Sequence, residues 1–176
     1  MNAENARLLA AIEAGDAAET RLALGAGADV EAVNDAGTTP LACACFYGRL
    51  TIVRLLIEHG ADLARRTRVG LSAFEQAVSW GHPAVVEALL DAGLDVDWTD
   101  DFGTTPLMIA AAGGDREMVL LLMRRGAKPD RRDVDGWNAW AWAGIKGNDD
   151  IADLLAEAGA NPEVDLPDGS TKGGPG

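Results

Sequence analysis

The sequence predicts an all-α repeat solenoid, and three regularities predict it. Gly37, Gly70, Gly103 and Gly136 stand 33 residues apart; so do Gly15, Gly48, Gly81, Gly114 and Gly147, and so do Gly27, Gly60, Gly93, Gly126 and Gly159. Apolar runs of helical spacing fill the intervals between these ladders. Threonine–proline pairs mark where some of those runs begin. Self-similarity at a fixed period of roughly 20 to 50 residues is the signature of stacked supersecondary units.

Each ladder has its own physical role. The Gly27 set follows an apolar helical run, as in TIVRLLIEHGAD from Thr51 to Asp62. Glycine just past a helix end takes the left-handed conformation that closes it. The Gly48 set lies between two short helical runs and makes the tight reversal that keeps them antiparallel. The Gly37 set precedes Thr-Thr-Pro-Leu and turns an extended finger into the next helix. There Thr39 and Thr105 are natural N-caps, with Pro40 and Pro106 at the first helical position.

These residues resemble the ankyrin-repeat family, whose unit is a β-turn plus two helices with a T-P-L-H-x-A signature. Gly37-Thr38-Thr39-Pro40-Leu41-Ala42-Cys43-Ala44 and Gly103-Thr104-Thr105-Pro106-Leu107-Met108-Ile109-Ala110 carry the signature, with Ala42 and Met108 where the family often has histidine. Ile52-Val53-Arg54-Leu55-Leu56 and Val85-Val86-Glu87-Ala88-Leu89-Leu90 match the second helix, and Gly60-Ala61-Asp62 the closing turn. The resemblance implies about five units in one domain over 2–161, at about 2–34, 35–67, 68–100, 101–133 and 134–161. The first unit lacks the Thr-Pro-Leu segment, as a terminal repeat with one wet face should. Ser72-Ala73-Phe74 and Asn138-Ala139-Trp140 replace that segment in units three and five. The acidic, Gly- and Pro-rich tail at 162–176 is expected to be disordered.

Composition narrows the function. Aromatics are only 5%, so the core must come from Ala, Leu, Val and Ile. Twenty-eight acidic residues against 15 basic ones give a net charge of −13. That opposes nucleic acid or an anionic membrane as partner, because phosphate binding needs Lys and Arg in excess. It suits a neutral or basic protein, or serves solubility alone. No apolar run reaches the roughly 18 residues of a membrane span, and the N-terminus lacks the build of a secretion signal. Cys43 and Cys45, two apart, point in different directions on a helix, so they read as reduced core thiols of a cytoplasmic protein. No ligand set for a metal and no cofactor motif is present. The acidic group Asp95, Asp97, Asp100 and Asp101 lacks the spacing of a calcium loop.

The resemblance further implies that first helices and fingers line a concave face where partners dock. Positions there that stacking does not need carry large side chains. They are Phe46 and Tyr47, then Trp80, at the inner turns, and Arg65, Arg66, Arg68, Leu71, Trp98, Asp100, Asp101, Phe102, Arg131, Arg132 and Trp137 at the fingers. Aromatics and arginines dominate binding hot spots. Arg65, Trp98 and Arg131 fall 33 apart and form one row, where a cation–π contact could gain about 1 kcal/mol. Arg68 and Asp101 could pair in the same way. Either set could instead merely stiffen the fingers, but a finger needs no tryptophan to be stable, which favours binding. Trp140 and Trp142 align with Leu41 and Cys43 and read as packing residues.

Catalysis is not expected. The only histidines are His59, placed to bond the last carbonyls of a helix, and His82, at a structural position of the family. No nucleophile elbow or phosphate loop occurs. The expected function is protein binding by a monomeric scaffold or adaptor. The alternative is a bacterial immunity or inhibitor protein that neutralises a basic enzyme or toxin, and the excess of arginine (12 against 3 Lys) suits a GC-rich bacterial gene. Self-association through the aromatic face is a third possibility.

Overall fold

The structure, a computed structural model, describes residues 2–160; the expected tail at 162–176 lies outside them. Ten helices follow one another among these residues, and the only β pairing is an isolated antiparallel bridge between Arg66 and Ser72. None of the helices is long and apolar enough to cross a membrane. The described residues form two compact units, divided between Leu94 and Asp95.

The first unit holds α1 (Ala3–Ala14), α2 (Ala17–Gly25), α3 (Pro40–Phe46), α4 (Leu50–Glu58), α5 (Ala73–Ser79) and α6 (Pro83–Asp91). The inner helix α3 packs between α1 and α5, while α4 packs between α2 and α6. Sequence explains the division of labour. Helix α3 begins with Thr39 accepting the Ala42 N–H, Pro40 standing at its first turn, and every residue from Pro40 to Cys45 is buried. Alanines in that run let neighbouring helices approach closely. Helix α4 instead has an amphipathic pattern and buries Ile52, Val53, Leu55 and Leu56 on one face. Ser72 caps α5 although the Thr-Pro-Leu segment is missing, and Glu75 returns a bond to the Ser72 N–H to complete a capping box.

The second unit holds α7 (Pro106–Gly113), α8 (Arg116–Arg124), α9 (Ala139–Lys146) and α10 (Asp149–Glu157). Helix α7 packs on α8 and α9, and α9 packs on α10. Thr105 caps α7, and Asn138 caps α9 by accepting the Ala141 N–H at 3.0 Å. Asparagine thus replaces threonine without loss of the cap. Met118, Val119, Leu121 and Leu122 fill the core from α8, and Ile151, Ala152 and Leu155 from α10.

Within each unit, side chains fasten one repeat to the next. The carboxylate of Glu31 accepts the Asp62 N–H at 2.8 Å, and Asp97 accepts the Lys128 N–H at 3.0 Å. A second device sits after the inner turn. His82 Nε2 bonds the Phe46 carbonyl at 3.0 Å, and Asn148 Nδ2 donates to the Ala111 carbonyl at 2.8 Å. The imidazole of His82 lies so close to Gly48 that a Cβ there would meet Nδ1 at 2.6 Å. Gly48 also has φ +66°, so both space and backbone demand glycine. His59 closes α4 as expected, with Nδ1 2.8 Å from the Leu55 carbonyl.

Candidate functional site

In the first unit, three of the aromatic residues singled out in the sequence come together. Phe46 is half-buried at the end of α3, with its ring centroid 4.9 Å from Tyr47 and 4.7 Å from Trp80, edge-on in both cases. Tyr47 and Trp80 remain 41% and 56% exposed. Such edge-to-face pairs gain from the opposed quadrupoles of face and rim. The cluster is therefore a stiff apolar surface and not a set of loose side chains. The His82 bond to the Phe46 carbonyl fixes the end of the helix that presents it. Arg49 adds a guanidinium 5.8 Å from the Tyr47 ring centroid.

The finger at 65–71 belongs to the same unit and has a built geometry. Thr67 Oγ1 accepts the Leu71 N–H at 3.2 Å, and Arg66 reaches across the turn to the Gly70 carbonyl at 2.9 Å. Arg65 pairs with Glu31 at 3.0 Å, and Arg68 donates to the Asp35 carbonyl at 3.3 Å. These contacts hold the finger and leave Leu71 42% and Val69 77% exposed. Leu71 is among the residues the sequence predicts for this surface and Val69 is not; the one sequence signal of Val69 is an apolar side chain at a turn tip.

In the second unit, Asp101, Phe102 and Arg131 are exposed, while Trp98 and Trp137 are half-buried. Asp100 spans its own turn by accepting the N–H groups of Phe102 and Thr104 at 2.9 and 2.8 Å. Asp133 does the same for Asp135 and Trp137, and its other oxygen accepts from Trp142 Nε1 at 2.9 Å. Trp137 rests edge-on against Trp142, with centroids 5.6 Å apart. Arg132 donates to the Gly136 carbonyl at 2.9 Å, repeating the role of Arg66. Of the expected row, Arg65 lies in the first unit and Trp98 and Arg131 in the second.

The remaining chemistry is quiet. Burial pushes the Cys43 thiol up to about 11, with the nearby Glu13 carboxylate adding to the effect. Burial raises Cys45 further, with Cys43 contributing. Both are free, protonated thiols and poor nucleophiles. No group of three or more His, Cys, Asp or Glu able to hold a metal occurs among the described residues. A groove between α4 and α6, lined by Arg54, Ile57, Glu58, Ala88, Asp91 and Ala92, is open to solvent. A groove this open does not enclose a small molecule.

The family profile described as ankyrin repeats in three copies matches residues 8–100 and again 74–165. The chain belongs to the ankyrin-repeat family. Comparison with curated proteins returns no match. Ankyrin repeats generally mediate protein–protein interactions, and the fold described above is the all-helical repeat architecture of that class.

Proposed function

We propose that this protein is a non-catalytic, cytoplasmic binding module that docks a neutral or basic partner protein on its inner helices and fingers. The observation that carries this reading is the cluster of Phe46, Tyr47 and Trp80, packed ring on ring yet with Tyr47 and Trp80 substantially exposed. Aromatics set rigidly beside an arginine are the residues that hot spots favour. Leu71, Arg65 and Arg68 on the neighbouring finger extend the surface in the first unit. Trp98, Asp101, Phe102, Arg131 and Trp137 supply the contacts of the second. The net charge of −13 supports a partner of neutral or opposite sign, and the buried, protonated thiols suit a reducing compartment.

An adaptor for several proteins and an inhibitor of one basic enzyme or toxin both fit this surface. The test is affinity capture from the source lysate with the intact protein and with a Tyr47→Ala/Trp80→Ala variant. A protein retained by the first and lost with the second supports the aromatic surface as the dock. One tightly held basic enzyme would make the protein an inhibitor, and several partners of modest affinity would make it an adaptor. Retention of the same proteins by the variant would move the docking surface elsewhere.

A further inference from the structure

The fingertips of the second unit carry an apolar pair that the fold does not use. Phe102 and Val134 are each 68% exposed. Neither closes its own turn, because Asp100 and Asp133 do that through backbone N–H groups whatever side chain stands at the tip. The Val134 N–H donates to the Phe102 carbonyl at 2.8 Å, so the two tips are tied backbone to backbone and hold two exposed apolar residues close together. Neighbouring exposed apolar groups rimmed by polar residues have the make-up of a contact surface, unlike apolar side chains scattered singly.

Charge selects the occupant. The two finger segments, 95–104 and 128–137, contain seven acidic residues against three basic ones. Asp101 and Asp135 flank the apolar pair in the chain and are both exposed. Of the bases, Lys128 lies 4.0 Å from Asp97, and Arg132 is engaged with the Gly136 carbonyl. The matching segment of the first unit, 62–71, has the opposite character, with three arginines against the single acid Asp62. Acidity is therefore not a uniform property of the chain's fingers: the finger at 29–38 shares it through Asp29, Glu31 and Asp35, but carries Ala36 where the second unit has Phe102.

We propose that Phe102 and Val134, rimmed by Asp101 and Asp135, form a docking ridge for a basic amphipathic segment of a partner protein, one that offers apolar side chains between lysines or arginines. Apolar contact with the ridge supplies affinity, and the carboxylates select the segment's sign and orient it. This rests on the binding role proposed above and adds the partner's chemistry and two residues, Val134 and Asp135.

The experiment uses the full-length protein and three fluorescent peptides, in which lysine alternates with leucine at helical spacing, glutamate replaces lysine, or serine replaces leucine. Anisotropy titrations are repeated with Phe102→Ser/Val134→Ser, with Asp101→Asn/Asp135→Asn and with Tyr47→Ala/Trp80→Ala. The lysine–leucine peptide is expected to bind, to lose about tenfold or more in affinity with the serine variant, and to lose severalfold with the asparagine variant. The glutamate–leucine peptide is expected not to bind. Equal binding of the lysine–serine peptide would reduce the effect to bulk attraction and overturn the proposal. So would affinity unchanged in the serine variant, or lost only in the Tyr47/Trp80 variant; in that last case the aromatic surface would stand and the ridge would fall. Sedimentation of the unliganded protein covers the remaining occupant: dimers abolished by Phe102→Ser/Val134→Ser would assign the ridge to a second copy of the chain and overturn the proposal.

Discussion

Two tryptophans, Trp137 and Trp142, face one another in the second unit, yet their indole nitrogens have different fates. Trp142 Nε1 donates to the Asp133 carboxylate at 2.9 Å, while Trp137 Nε1 is buried with no hydrogen-bond partner among the described residues. Trp142→Phe should destabilise the protein by about 1.5–3 kcal/mol, the usual loss for a bond to a charged acceptor. Trp137→Phe should change stability by less than about 1 kcal/mol, because removing an unpaired buried donor offsets the lost contact area. Urea unfolding of both variants checks this, and equal losses would contradict the assignment. The thiols give a second expectation. Cys43 titrates near 11 in the folded chain against an ordinary 9.0. Its raised value contributes stability fully present below pH 9.0 that is lost as pH rises through about 11. At about pH 8 neither cysteine should react with iodoacetamide in the native protein, and both should react in denaturant. Rapid alkylation of native Cys43 would show that the inner face opens.

Between repeats, the residue that follows the inner-turn glycine acts as a fastener at two positions, whereas Asp16 and Asp115 there cap their own helices. His82 and Asn148 both reach back to carbonyls at the end of the preceding inner helix, with different side chains and similar distances. His82→Ala should cost about 1–2 kcal/mol by leaving the Phe46 carbonyl with one partner fewer. His82→Asn should restore most of that, since asparagine does the same work at 148. Thermal melts of the two variants decide it, and no difference between them would mean that the ring packing against Gly48 matters more than the bond. Much at this level was legible in the chain. The glycine ladders located every reversal, Thr39 and Thr105 announced two helix starts, and His59 declared its cap. Ser72 and Asn138 were harder to read, because the missing proline hid starts that the side-chain oxygens nevertheless cap.

For the molecule as a whole, the repeat period reveals architecture, whereas the binding surface depends on which side chains meet. The sequence picked out Phe46, Tyr47 and Trp80 as large residues at positions that stacking does not need, but not that their rings touch. That fact lies in the geometry of successive inner turns. The exposed tips Val69 and Val134 are not legible in the sequence either, because valine in a turn gives no periodic signal. The aromatic surface is the claim on which the functional account stands. Its most direct test is titration calorimetry of the captured partner against wild type and the Tyr47→Ala/Trp80→Ala variant, with the melting curve of each protein alongside. An affinity loss of about tenfold or more, roughly 1.4 kcal/mol, is expected, with the melting midpoint little changed, because both side chains stand partly in solvent, each at the end of an inner helix whose buried residues are left intact. Unchanged affinity, or a loss matched by a collapse in stability, would contradict it and make the cluster a structural feature of the inner turns.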